Sequence, residues 1–254
     1  MSKQVASRVV VLPDLEAAAE LAGARLLDGI IADLSTQDVT HVVLTGGTAG
    51  IRMLVRAAAN PLAAAVDWRR VHIWWGDERY LAENHPERNS FQAHTALLDH
   101  LPAPAHLHPI PGPPMALEQA GVEFARALVA HARVGDDLPR FDQVFLGVGP
   151  DGHVASIFPG HATLQAGGTV VVEANSPKPP AERVSLTLGA LATAKRLTFL
   201  IAGADKGPVL GEIATDTDCA LPAAVLDRLS GHHGAWLTDQ PAMQASGLPG
   251  ALER

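Results

Sequence analysis

The sequence predicts an α/β fold with a largely parallel sheet. Short apolar runs alternate with Ala/Leu-rich stretches at helical spacing. Several of these runs end in polar, glycine-containing turns, as strands do where they hand over to helices. Hydrophobic residues make up 47% of a 254-residue chain, which is ample for a well-buried core.

Taken in order, Asp14 follows Pro13 and is placed to cap a helix reaching about Leu34. Its apolar positions are Leu15, Ala19, Ala22, Leu26 and Ile30. His41 to Leu44 reads as a strand that runs into Thr45-Gly46-Gly47-Thr48. Ile51, Leu54, Val55 and Ala58 mark the next helix. Val71 to Trp75 is a strand ending at Gly76-Asp77-Glu78-Arg79. Leu117 to Ala132 is a helix and Phe141 to Leu146 a strand. Thr169 to Val172, Val184 to Leu188 and Leu197 to Ala202 are further strands. Helices follow over Asp205 to Ala214 and Pro222 to Leu229, and Ala235 to Leu237 is a last edge strand. The Pro/Gly-rich segments Leu101 to Pro114 and Ser176 to Pro180 read as ordered loops. In open α/β sheets the ligand lies beyond the C-terminal ends of the strands. The polar turns all fall there, so they converge on one crevice.

Composition narrows the partners. Net charge is −8, with 19 Lys+Arg against 27 Asp+Glu, and no basic stripe is present. Nucleic acid and anionic membranes are therefore not expected partners. Cys219 is the single cysteine, so neither an intrachain disulfide nor a Cys-based zinc site is available. The opening MSKQVASRVV lacks the features of a signal peptide, and no apolar run approaches the ~20 residues of a membrane span. A cytoplasmic location is expected.

The most informative stretch is Gly147 to Pro159, GVGPDGHVASIFP. A buried strand feeds a glycine-rich turn that presents Asp151 and His153 together. Glycines allow a sharp bend and close approach to a ligand. Gly147-Val148-Gly149-Pro150-Asp151-Gly152 also fits the dinucleotide fingerprint, with Glu173 near the spacing of a ribose-binding acid. Two facts weigh against that reading. Asp151 would place a carboxylate beside a pyrophosphate, and Pro159, Gly160, Gly167 and Gly168 leave little room for a crossover helix. Thr45-Gly46-Gly47-Thr48 supports two readings equally, a phosphate cradle at a helix N-terminus and an ordinary tight turn.

These residues together resemble the 6-phosphogluconolactonase family. The likeness is carried by Leu44-Thr45-Gly46-Gly47-Thr48, Trp75-Gly76-Asp77-Glu78-Arg79, Gly147 to Pro159, Ser176 to Arg183 and Gly203-Ala204-Asp205-Lys206, in the family's order and across nearly the whole chain. The resemblance implies a single Rossmann-like domain over residues 1–254, of the kind shared with glucosamine-6-phosphate deaminases and ribose-5-phosphate isomerases. It implies hydrolysis of 6-phospho-D-glucono-1,5-lactone to 6-phosphogluconate without an organic cofactor. Deaminases are similar through Asp-Gly-His but continue Ala-Phe-Asn-Glu-Pro, where this chain has Ala155-Ser156-Ile157-Phe158-Pro159 and no carboxylate. Val154 departs from the threonine usual in lactonases.

Lactone hydrolysis needs a deprotonated water, support for a carbonyl oxyanion and a proton for the departing ring oxygen. One histidine can perform both proton tasks, so His153 is expected as base and then acid. Asp151 is expected to fix its tautomer, the plain alternative being a turn residue bonding its own backbone. Thr45, Gly46, Gly47, Thr48 and Lys206 are expected on the phosphate, Lys206 through its match to a family phosphate position. Lys178 and Arg183 are further phosphate candidates. Arg79 is expected on phosphate or lactone carbonyl, oriented by Asp77 and Glu78. Asp77 alternatively binds sugar hydroxyls. Asn89 lies in a stretch similar to a family loop near the site, and a turn or cap role is equally open for it.

No metal is expected to be required, because the histidines lack a His-x-x-x-His helix pairing with an acid. His106, His108, His232 and His233 read as surface residues of loops. The expected assembly is a monomer or weak homodimer. Two other functions compete. One is an amino-sugar-phosphate deaminase or isomerase, which needs a carboxylate base. The other is a non-catalytic sugar-phosphate sensor, although the first strand and helix begin too early for a preceding DNA-binding segment.

Overall fold

The computed structural model describes residues 9–248, so most of the segment read above for a leader, residues 1–8, lies outside the described residues. The chain forms β1 (Val9–Leu12), α1 (Leu15–Leu34), β2 (Thr40–Leu44), α2 (Gly47–Ala59), β3 (Val71–Trp75), β4 (Asp77–Arg79), α3 (Asn89–Ala96), β5 (His106–His108) and α4 (Leu117–Ala130). It continues with β6 (Gln143–Gly147), β7 (Val170–Glu173), β8 (Arg183–Leu186), α5 (Leu188–Ala192), β9 (Arg196–Ile201), α6 (Gly207–Thr215), α7 (Pro222–Leu229), β10 (Ala235–Asp239) and α8 (Gln240–Ala245).

A seven-stranded sheet runs β1-β10-β9-β6-β2-β3-β5, and every pairing in it is parallel. Its central strands read as near-continuous apolar runs because both faces are covered. Val42, Val43, Leu44, Val144, Phe145, Leu146, Phe199 and Leu200 are all buried. The α/β expectation holds, as does the cap on α1, where Asp14 Oδ1 accepts from the Ala17 N–H at 2.8 Å. Among the described residues no helix is long and apolar enough to cross a membrane.

Four readings are corrected. The strand at Ala235 is internal, because β1 pairs with its outer side. Residues 204–206 form a 3₁₀ turn, and the helix proper starts at Gly207, with Pro208 in its first turn. Asp77 to Arg79 is not merely a turn. It is a strand of a second, antiparallel sheet ordered β4-β8-β7. His106 and His108 form edge strand β5, and His108 is half-buried with its ring stacked on Trp74 at 3.9 Å between centroids. His232 is also only half-exposed, with Nδ1 3.0 Å from Asp227 Oδ2.

His41, His72, His106 and His108 crowd one face of β2, β3 and β5 with His131 against them. Burial and the neighbouring rings push His41 down to about 3, His72 to about 4 and His108 to about 3. These rings are therefore neutral at neutral pH.

Candidate functional site

The polar turns meet in a crevice of about 400 Å³ at the C-terminal ends of β2, β6 and β9. Its wall includes Thr45, Gly46, Gly47, Thr48, Asp77, Arg79, Asn89, Gly149, His153, Arg183, Asp205 and Lys206. The turns after β2 and β6 touch, since the Gly147 N–H donates to Thr45 Oγ1 at 3.3 Å. Gly46 caps α2 with no side-chain hydrogen bond. The first N–H groups of that helix therefore face the crevice, where the helix end favours an anion.

His153 and Asp151 are joined by the bend the sequence required. The Gly152 N–H donates to Gly149 O at 3.0 Å and the Gly149 N–H to His153 O at 2.9 Å. This fold of the backbone brings His153 Nδ1 to 2.5 Å from Asp151 Oδ1. A carboxylate only accepts, so Nδ1 carries the proton and Nε2 keeps its lone pair for the crevice. Lys178 Nζ lies 3.4 Å from the same oxygen and 3.2 Å from His153 Nδ1. Burial pushes the Asp151 carboxyl up, but the hydrogen bond from His153 and the charge of Lys178 outweigh it and hold it well below the usual carboxylate range. Ala155, also in the wall, holds φ 49, a left-handed backbone uncommon outside glycine.

The opposite wall is built on Asp77. Its Oδ2 accepts from Ser156 Oγ at 2.6 Å and lies 3.9 Å from Arg183 Nη1. Asn89 Nδ2 donates to the Asp77 carbonyl at 2.8 Å. Gly46 lies so close that a Cβ there would come within 1.9 Å of Asn89 Oδ1. Arg183 also donates to the carbonyls of Lys178, Pro179 and Pro180, each at 3.1 Å. It thus shapes the loop that carries Lys178. Burial lowers both Arg183 and Lys206 from their ordinary values. For Lys206 that effect is opposed by Asp205, whose Oδ2 is 3.8 Å from Nζ.

Of the residues expected to catalyse or to bind substrate, all but Asp151 and Lys178 line the crevice. Those two meet the imidazole at Nδ1, and Lys178 also lies near enough to Lys206 to lower it by charge. Glu78 does not orient the Arg79 guanidinium. It accepts from the N–H groups of Arg79, Asn89 and Ser90 at 2.7–2.9 Å, and that guanidinium donates to Glu87 O. Val154 is fully buried, so its methyls pack in the core and do not face the crevice. Glu173 is bonded to His161 at 2.8 Å, away from the crevice wall, which removes the ribose-binding reading. Sequence reasoning missed Ser156, Asp205 and Asp239. Asp239 accepts from the Gly203 N–H at 3.0 Å and so anchors the turn bearing Lys206. Asp205 and Ser156 stood inside motifs already quoted. Asp239 gave no local signal.

The fold defines an α/β protein with its polar crevice at the carboxyl ends of parallel strands, where ligands bind in open α/β sheets. Residues 13–236 match the family described as Glucosamine-6-phosphate isomerases/6-phosphogluconolactonase, and the chain belongs to that family. It is 40% identical to a 6-phosphogluconolactonase of Streptomyces coelicolor over 96% of both chains. It is 37% identical to that of Rattus norvegicus over 81% of this chain and 80% of the relative. A solved 6-phosphogluconolactonase from Thermotoga maritima superposes with a TM-score of 0.77 at 27% identity, covering 91% of this chain and 99% of that one. A monomeric glucosamine-6-phosphate deaminase, 17% identical with a TM-score of 0.76 over 94% of this chain and 99% of that one, shares the fold.

Proposed function

We propose that this protein hydrolyses 6-phospho-D-glucono-1,5-lactone to 6-phospho-D-gluconate, with His153 as the proton-transfer group. The observation that carries the reading is one crevice holding His153, already oriented by Asp151, together with the Thr45–Thr48 turn and Lys206. The 40% identity to the Streptomyces coelicolor 6-phosphogluconolactonase over 96% of both chains supports the same reaction class.

Nε2 of His153 takes a proton from water, and the hydroxide adds to the lactone carbonyl carbon. The carbonyl oxygen becomes an oxyanion, which Arg79 stabilises. Collapse breaks the bond to the ring oxygen, and His153 returns its proton there. The phosphate rests on the N–H groups and hydroxyls of Thr45 to Thr48 and on Lys206. Asp77 and Asn89 meet the sugar hydroxyls, and Arg183 holds Asp77 in place. No serine nucleophile or organic cofactor enters the scheme. The reading places a single-domain enzyme in the cytoplasm, as a monomer or weak homodimer without a nucleic-acid partner. The acidic balance of the chain supports that last point.

The direct test generates the lactone in situ from glucose 6-phosphate and its dehydrogenase, then follows its loss above the spontaneous rate. Acceleration is the expected result. Ammonia release from glucosamine 6-phosphate in a parallel assay would favour the deaminase. Sugar-phosphate binding without turnover would favour a sensor.

A further inference from the structure

We propose a second ligand site, a three-histidine site for a divalent transition-metal ion, formed by His72, His108 and His131 on the β3–β5 edge of the sheet, outside the crevice wall. One ring nitrogen from each lies within 4.8 Å of the other two. His72 Nδ1 and His108 Nε2 are 2.9 Å apart, so one proton is shared along that line. A tetrahedral ion with bonds of ~2.0–2.1 Å to nitrogen separates its ligand atoms by only a few tenths of an ångström more. An ion can therefore replace that proton with a small parting of the two rings.

The surroundings favour the exchange. His131 Nδ1 donates to Ala127 O at 2.9 Å, which leaves Nε2 with a lone pair. A carbonyl on the far nitrogen is the usual means of orienting a metal-bound histidine. His72 and His108 stand on β3 and β5, whose pairing aligns His72 with His106 and Trp74 with His108. Their positions are thus set by the sheet and not by a mobile loop. His131 follows α4 directly and is exposed, which provides an entry path. His41 Nδ1 accepts from Trp74 Nε1 at 3.1 Å and supports the neighbouring ring. With three imidazoles and no carboxylate, the donor set suits Zn²⁺, Cu²⁺ or Ni²⁺ and not Mg²⁺ or Ca²⁺. His72 precedes Gly76, at the crevice end of β3, by four residues, about 13 Å along a strand. The ion consequently ties α4 to β3 and β5 without entering the proposed reaction.

The test uses the untagged full chain, stripped with chelator and titrated with Cu²⁺. Trp74 is stacked on His108, so Cu²⁺ should quench part of the tryptophan emission with one equivalent. Zn²⁺ should reverse the quenching without causing any, and should raise the Tm. His131→Ala changes an exposed side chain, so the variant should fold. It should weaken both effects at least about tenfold. His94→Ala, at an exposed histidine paired with Asp99, should leave them unchanged, and chelator should leave lactone hydrolysis unchanged. Equal Cu²⁺ affinity in His131→Ala, displacement of the ion by 6-phosphogluconate, or absence of saturable quenching would each overturn the proposal.

Discussion

His153 Nδ1 and Asp151 Oδ1 face each other at 2.5 Å across a single turn, with Lys178 Nζ 3.4 Å from the same oxygen. The carboxylate fixes which imidazole nitrogen carries the proton. His153→Ala should lower kcat by ~10²–10⁴-fold, the usual worth of general acid–base catalysis. Asp151→Asn should remove a smaller part of that factor, because an amide can donate to Nδ1 and strand the proton on Nε2. The pH dependence has a definite sign. The folded carboxyl is depressed, so its contribution to stability is present above the unfolded value near ~3.9 and is lost only as pH falls through the folded one. The acid limb of the wild-type rate profile therefore does not report Asp151. Lactone turnover measured across pH 5–9 checks this, and a His153→Ala rate within a few-fold of wild type would remove the ring from its role.

Gly149 makes that pair possible. A Cβ at this position would lie 1.9 Å from His153 Nδ1 and 2.5 Å from Asp151 Oδ1. Both contacts fall on side-chain ends, which can swing aside without unfolding the turn. Gly149→Ala should therefore change stability by less than about 1 kcal/mol while lowering kcat nearly as far as Asp151→Asn. Urea denaturation and lactone turnover on the same preparation separate the two effects. Full activity with a loss of stability would contradict the assignment.

What could be read in the chain followed how local the determinants were. The central strands were legible because burial on both faces makes them apolar runs, and α1 because Asp14 and the spacing of Leu15 to Ile30 agree. The Gly147 to Pro159 turn was legible because glycine and a presented histidine are rare together in a packing role. The β4-β8-β7 sheet was only half legible. Asp77-Glu78-Arg79 is charged and three residues long, and its pairing with β8 depends on a partner some hundred residues away. Glu78 gave no sign of its partner Arg88, because the two lie ten residues apart across the loop from β4 to α3, a spacing that carries no periodic pattern. The place of β10 inside the sheet depends on β1 and not on its own composition. The histidine face was missed because His-x-His on an edge strand carries no helical metal pattern.

Lys206 tests the phosphate cradle. It lines the crevice on a turn anchored by Asp239, and burial lowers it from the ordinary lysine value. A contact to a phosphate that does not react is made equally in ground and transition states, so its loss raises KM more than it lowers kcat. Lys206→Ala should show that split in steady-state lactone kinetics. Lys178→Ala should show the reverse, a fall in kcat at nearly constant KM, because its ammonium touches Asp151 and His153. If Lys178→Ala changed KM alone, it would be a substrate contact after all.

Glu78 is the structural centre of the wall opposite His153. It and Arg88 are both about 1% exposed, with Arg88 Nε 3.5 Å from Glu78 Oε2. Burial pushes the Glu78 carboxyl up, and Arg88 with the N–H groups of Ser90 and Asn89 pulls it back. The carboxylate also caps α3 through those two N–H groups and bonds Ser90 Oγ at 2.8 Å. Glu78→Ala would leave the Arg88 guanidinium buried without its counter-charge, which costs about 3–5 kcal/mol. Arg88 would keep its bonds to Leu81 O and Ile110 O, so the loss should stay short of complete unfolding. Guanidinium denaturation at pH 7 measures it, and the double variant Glu78→Ala/Arg88→Met should recover part of the loss. Arg79 and Asn89 hang from the same carboxylate and line the crevice. The folded fraction of Glu78→Ala should therefore turn over lactone more slowly than wild type, whereas Asp33→Ala, which removes a buried carboxylate paired with Lys195 and Arg196 far along the sheet, should lose stability but keep its kcat.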